Sequence, residues 1–224
     1  MPETGFKDAK RAQLSFLAPL EKRLLVWLAH RMPPWVNSDH LTLLGFLAML
    51  FAGLSYWLAR WNPLALLLVI GWLAVNWFGD SLDGTLARIR NKQRPRYGFY
   101  VDHITDAFGT LFLVGGMGLS GYMSPLVALG LLIAYFMLSI EVYLATYTIG
   151  TFHLSFWKFS PTELRILLAV GNIILLFRPV VNIFSEPYRL YDAGGVIGMA
   201  GMALMLVTAA IRHTRVLYRA EPLS

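Results

Sequence analysis

Cysteine is absent from all 224 residues. That excludes a disulfide framework, a thiol nucleophile and any cysteine-ligated zinc or iron–sulfur centre, and it leaves the redox compartment undetermined. Charge is scarce as well: Asp, Glu, Lys and Arg make up 14% of the chain, against 57% hydrophobic residues and a mean hydropathy of +0.56. One soluble core of this length does not need so much apolar surface, so a polytopic membrane protein is the expected class. There is no internal repeat, low-complexity tract or compositional break, so a single membrane domain over 1–224 is expected. The opening residues, MPETGFKDAKRAQLSF, lack the regions and cleavage site of a signal peptide and carry no lipidation motif, so nothing points to their removal. A nucleic-acid motif is missing too. The net charge of +6 comes from basic residues set between apolar runs, which points to anionic headgroups and phosphates and to no nucleic acid.

What is present is a series of apolar segments. A helix needs about 20 mostly apolar residues to cross a bilayer. Six stretches come close: Leu41–Ala59, Leu64–Gly79, Phe99–Leu119, Pro125–Tyr147, Leu164–Phe177 and Gly194–Ile211. An all-α fold of six transmembrane helices over 41–211 follows. The second stretch reaches full length only by continuing as helix through Asp80, Asp83 and Arg88, which puts those groups near one membrane surface. With the N-terminus inside, only Arg60, Arg178 and Arg189 among the 19 Lys and Arg residues fall on the far side, so both termini are expected in the cytoplasm. Residues 8–32 place Leu17, Leu20, Leu24, Trp27 and Leu28 near one helical face, the pattern of an interfacial amphipathic helix. Pro33, Pro34 and Asn37 then break the chain.

The segment NWFGDSLDGTLARIRNKQRPRYGFYVDHITDAFGT, from Asn76 to Thr110, carries four aspartates. Asp80 and Asp83 are three apart, and Asp102 and Asp106 four apart, so on helices each pair shares a face. The short link from Ile89 to Tyr97 makes the two helices antiparallel neighbours, and all four carboxylates are expected to converge at the cytoplasmic edge. Clustered anions in a low-dielectric setting repel unless neutralised by cations. Oxygen-only ligands favour two divalent cations, Mg²⁺ or Mn²⁺, and such a pair suits phosphoryl transfer. Gly84, Ala87 and Gly98 leave room on the same faces for a phosphate ligand or a close helix neighbour. Arg88 is placed for a phosphate oxygen, or only for membrane topology. Asn76, one turn before Asp80, orients that carboxylate, contacts a ligand or packs as an interhelical amide.

Asp80, Asp83-Gly84, Ala87-Arg88, Gly98, Asp102 and Asp106 resemble the D-x-x-D-G-x-x-A-R…G-x-x-x-D-x-x-x-D signature of the CDP-alcohol phosphotransferase family, with one residue more than the usual gap between Arg88 and Gly98. The resemblance implies six transmembrane helices, a homodimer, and a two-metal site on the cytoplasmic side. It also implies transfer of a phosphoalcohol or phosphatidyl group from a CDP-linked donor to an alcohol or lipid acceptor, with release of CMP. By it Asp80, Asp83 and Asp102 would hold metal, Asp106 would be ligand, general base or both, and Gly84, Ala87 and Arg88 would border the CDP moiety. FYVDHITD and the stretch from Glu141 to Leu168 are similar to the choline and ethanolamine branch, which implies a CDP-aminoalcohol donor and a diacylglycerol acceptor. CDP-diacylglycerol with a polar acceptor is the alternative. His103, about 60° from Asp106 on a helix, is a second candidate base.

A cation-coupled transporter is the competing class, since intramembrane carboxylates also bind transported ions. The acids here cluster at one basic edge and no repeat is visible, which favours the enzyme. Glu141, within the fourth segment, is a functional candidate by position; capping accounts for Glu163. His30, His40, His153 and His213 read as interfacial.

Overall fold

The computed structural model describes residues 18–149 and 161–221. The start of the expected interfacial helix, His153 and Lys158 lie outside that range. Among the described residues there are seven helices and one hairpin: α1 (Ala18–Arg31), α2 (Ser38–Leu58), α3 (Ala65–Ile89), α4 (Pro95–Leu119), α5 (Pro125–Ile149), α6 (Pro161–Phe177), β1 (Val180–Ile183), β2 (Glu186–Arg189) and α7 (Leu190–Ala220).

Four of the helices, α2, α3, α5 and α7, are long and apolar enough to cross a membrane. The chain is a multi-pass helical membrane protein. Helix α4 is diluted by Arg96, Asp102 and Asp106, and α6 has 17 residues, so these two fall short of the same standard. Large apolar side chains face outward, with Leu126 81% and Ile197 74% exposed, which suits contact with lipid tails rather than with water.

Helix α2 is the central element, packed on both α3 and α4, while α5 lies against α4 and α7, α6 against α3, and α1 against α3. Close approach is possible because glycines meet at the crossings. A Cβ on Gly79 would lie 2.6 Å from the Leu41 carbonyl oxygen and the Gly45 nitrogen, and one on Gly116 would strike the backbone of Gly53. These are the small-residue contacts by which helices associate in lipid. Gly109 packs similarly on Met49, whereas nothing lies within 4 Å of a Cβ at Gly115.

Local signals set the helix ends. Asn37 opens α2 with a reciprocal capping box: its Oδ1 accepts from His40 N at 3.0 Å, and His40 Nδ1 accepts from Asn37 N at 3.4 Å. His40 is thus a capping residue. Pro95 starts α4 four residues earlier than the apolar run begins, as its fixed φ allows. Helix α3 continues through Asp80, Asp83 and Arg88, as expected, and ends in a Schellman motif. Asn91 sits at φ 53°, its N–H bonds to the Arg88 carbonyl at 3.2 Å, and Lys92 N–H reaches the Ala87 carbonyl at 2.9 Å. That tight stop leaves only a short turn before α4.

Two features differ from expectation. The link between α6 and α7, in a fold expected to be all-α, contains an antiparallel hairpin pairing Val180 with Arg189 and Ile183 with Glu186. Its two-residue turn, Phe184-Ser185, has φ of 50° and 69°, the backbone that matches strand twist. Helix α7 also extends beyond Gly194–Ile211 at both ends, because hydropathy marks only the lipid-immersed part of a helix.

Helix α1 buries Leu25 and Ala29 against Leu82 and Leu86 of α3, and exposes Leu20, Leu24 and Trp27. Glu21 ties it down by accepting from Trp77 Nε1 at 2.8 Å and from Thr162 Oγ1 at 2.7 Å. At the far end of the bundle, Tyr191 of α7 donates to Asn172 Oδ1 of α6 at 2.9 Å and meets the Tyr56 hydroxyl of α2 at 3.3 Å.

Candidate metal centre

The α3–α4 turn brings carboxylates from two helices together. Asp80, Asp102 and Asp106 each offer an oxygen, and the three oxygens lie within 4.8 Å of one another. Asp83 departs from the expected fourfold convergence. Its Oδ2 accepts from Thr42 Oγ1 of α2 at 2.6 Å, and its Oδ1 faces the Gly84 N–H. One turn along α3 from Asp80, it points at α2 because the Gly45–Gly79 crossing holds α2 close on that side.

A cation is already present at the cluster. Arg165 of α6 donates from Nη2 to Asp80 Oδ2 at 2.5 Å and from Nε to Asn76 Oδ1 at 2.7 Å. Asn76, 6% exposed, donates in turn to the Gly45 carbonyl at 2.9 Å. Asn76 thus packs α3 on α2 as an interhelical amide, and it also holds Arg165, the group that pairs with Asp80. Arg165 was visible in the sequence only as one more basic residue near a helix end. Nothing local marks it, since it reaches Asp80 from 85 residues away.

His103 sits beside Asp102 and Asp106 on α4. Its ring stacks on Phe99 at 4.1 Å and meets Tyr143 of α5 edge-on at 5.0 Å. Its Nδ1 lies 2.6 Å from the Phe99 carbonyl oxygen, which can only accept, so Nδ1 carries the proton and Nε2 the lone pair in the neutral ring. Tyr135 and Tyr143 of α5 lie within electrostatic reach of Asp106 and Asp102. Neither was singled out as a site residue, because the polar residues of α5 form no distinct face.

Arg88 is exposed and donates from Nη2 to Thr85 Oγ1 at 3.1 Å. Gly84 would place a Cβ against the Arg88 guanidinium alone, and Gly98 would place one in open space. Neither glycine is used for helix packing, unlike Gly79 and Gly116. Ala87 is half-buried on the same α3 end. Arg90, one of the charges counted for topology, also clamps the α1–α2 link by donating to the carbonyls of Met32 at 2.9 Å and Pro33 at 3.0 Å and to that of Val36.

Glu141 lies apart from the cluster. Its Oε1 pairs with His213 Nδ1 at 2.5 Å, joining α5 to α7. Glu163 stands in the first turn of α6.

Three carboxylates gathered from two helices, with no sulfur or imidazole nitrogen among them, form a donor set suited to a hard divalent cation such as Mg²⁺. The fold and this centre together define a multi-pass helical membrane protein with an acidic, cation-competent site at one end of its bundle. A family model, CDP-alcohol phosphatidyltransferase, matches residues 35–211, and the chain belongs to that family. Its members are transferases of phospholipid synthesis that use divalent metal ions and CDP-linked substrates. No curated protein matches the chain.

Proposed function

We propose that the chain transfers a substituted phosphate group from a CDP-linked donor to an alcohol hydroxyl, releasing CMP, at a two-cation site on the cytoplasmic face. The observation that carries this reading is the meeting of Asp80, Asp102 and Asp106 inside the segment matched by the family. Asp83 would complete the ligand set with them. When bound, Mg²⁺ or Mn²⁺ supplies charge neutralisation for a pyrophosphate and for the departing CMP.

The chain's own groups divide the remaining work. Gly84, Ala87 and Gly98 would leave the surface bare for the nucleotide, and Arg88 would pair with a phosphate oxygen. The acceptor hydroxyl oxygen attacks the phosphorus that bears the alcohol, the bond from that phosphorus to the CMP oxygen breaks, and the hydroxyl proton passes to a base. Asp106 is the favoured base. His103 is the second candidate, because its Nδ1 is held by the Phe99 carbonyl and its lone pair sits on Nε2. Replacing His103 by Gln should reduce kcat only modestly, by roughly tenfold or less. A loss as deep as that of Asp106→Asn would transfer the role to His103.

The favoured substrates are a CDP-aminoalcohol and diacylglycerol, a reading supported by His103 following Asp102. One observation favours the second reading, CDP-diacylglycerol with a phosphorylated polar acceptor. Such an acceptor needs a guanidinium to pair its charge as it leaves water, and Arg165 is held at the cluster. A matrix of both donor types against both acceptor types, scored by CMP release with Mg²⁺, tests the proposal. Release in no combination would refute it, and the productive pair would choose between the readings.

Six spans with both termini cytoplasmic, and a homodimer, belong to the same reading. Because cysteine is absent, Asn62→Cys and Phe184→Cys give unique labels. Both should react only from the outside, and the detergent-corrected mass by light scattering should be that of two chains.

A further inference from the structure

Several basic residues at the aspartate end of the bundle are engaged within the protein. Arg90 is bonded to the α1–α2 link, Arg94 to Asp39, Arg165 to Asp80, and Arg31 lies over the Trp27 ring at 3.9 Å. Arg212, Arg215 and Arg219 of α7, like Lys22, Arg23 and Lys92 elsewhere, are not, and they alone lie together at one helix end. All three are exposed, and none has a hydrogen-bond or ion-pair partner among the described residues. Thr208, Ile211 and Val216 lie beside them on the same helix.

Their setting is specific. Helix α7 has 31 residues, so it is about 46 Å long, which exceeds the roughly 30 Å hydrocarbon core. Because α7 starts at the opposite end of the bundle, with Tyr191 tied to Asn172, the surplus length falls at the arginines and puts them at headgroup depth. At 100° per residue, Leu204, Thr208, Ile211 and Arg215 form one strip, flanked by Arg212 and Arg219. This strip faces away from α5, since Glu141 of α5 pairs with His213 on the other side. Leu204 is 67% and Ile211 47% exposed. An apolar strip thus runs directly into a cluster of exposed guanidinium groups.

We propose that this face of α7 binds an anionic phospholipid, with acyl chain along Leu204 and Ile211 and phosphate between Arg212 and Arg215. Generic inward-side charge requires only basic residues somewhere beyond the apolar run. It does not require three arginines within about two turns of one helix, without a lysine among them. Arg chelates phosphate with two parallel N–H donors, and Arg212 and Arg215 are one turn apart, close enough to share one phosphate. The continuous apolar strip selects a lipid over free phosphate. The site shares no residue with the aspartate cluster, and its failure would leave the proposed reaction untouched.

The test uses the full chain in detergent, titrated with dioleoylphosphatidylglycerol, dioleoylphosphatidylcholine or inorganic phosphate and read by native mass spectrometry. Phosphatidylglycerol should be retained, and phosphatidylcholine and inorganic phosphate should bind at least about tenfold more weakly. R212Q/R215Q should weaken phosphatidylglycerol binding by roughly tenfold or more, R178Q at the opposite end should leave it unchanged, and raised salt should weaken it in the wild type. If the double variant does not fold, R215Q and R219Q are measured singly, each with an expected loss of a few-fold. Equal binding of phosphatidylcholine, inorganic phosphate binding as tightly as the lipid, unchanged binding in the glutamine variants, or an equal loss in R178Q would each overturn the proposal.

Discussion

Replacing Asp102 by Asn should lower turnover by a factor on the order of 10³ and remove the stabilisation expected of Mg²⁺ on the wild type. Among the described residues Asp102 is one of three carboxylates gathered at the cluster, with Asp80 of α3 and Asp106 of α4. An amide oxygen in its place is neutral and a far weaker ligand for a hard cation. A cation that binds only the folded state, at 100 times its dissociation constant, adds about 2.7 kcal/mol of stability, so the wild type should unfold at a distinctly higher temperature with Mg²⁺ than with a chelator. In Asp102→Asn that difference should shrink towards zero, with folding in chelator retained. Asp80→Asn should share the loss of turnover, and it should also release Arg165 from its 2.5 Å pairing. Full activity of the wild type in excess chelator, or an Mg²⁺-dependent shift surviving in Asp102→Asn, would refute the cation site.

The second large effect should come from a single methyl group. Gly79→Ala and Gly116→Ala should each destabilise the protein by about 3 kcal/mol or more, while Gly115→Ala should be neutral or stabilising by about 0.5–1 kcal/mol. The contrast lies in what the new Cβ meets. At Gly79 it would lie 2.6 Å from backbone atoms of Leu41 and Gly45, and at Gly116 it would strike the Gly53 backbone, so whole helices must move. At Gly115 there is nothing within 4 Å, and the gain in helix propensity is unopposed. Gly79→Ala should also impair catalysis, because the same crossing holds Thr42 against Asp83 and Gly45 against Asn76. Thermal unfolding of the three variants in one detergent checks this. Equal stabilities would show that the α2 crossings are not in backbone contact.

The parts of this protein that were legible in its sequence are those that depend on neighbours along one helix. Apolar runs reported the membrane class, and a short link between two of them made α3 and α4 antiparallel. The spacing of Asp80 with Asp83 and of Asp102 with Asp106 reported which carboxylates share a face. Asn91 is a residue type that tolerates the left-handed stop closing the α3–α4 turn, although its role there emerged only with the backbone. None of this required knowledge of a third helix.

What only the tertiary structure decided is everything that depends on which helix lies alongside. Asp83 turns to Thr42 because α2 crosses α3 at Gly45 and Gly79. Arg165 reaches Asp80 because α6 packs on α3, and Tyr143 meets His103 because α5 packs on α4. Glu141 was marked as functional by its depth, yet its partner is His213, a residue read as merely interfacial. The physical reason is the solvent. In water a helix shows its buried face as an apolar stripe, but in lipid both the packed and the exposed faces are apolar, so helices such as α5 and α7 carry no stripe that names a neighbour. Association is decided instead by close backbone approach and a few interhelical hydrogen bonds, and these exist only once the chain has folded.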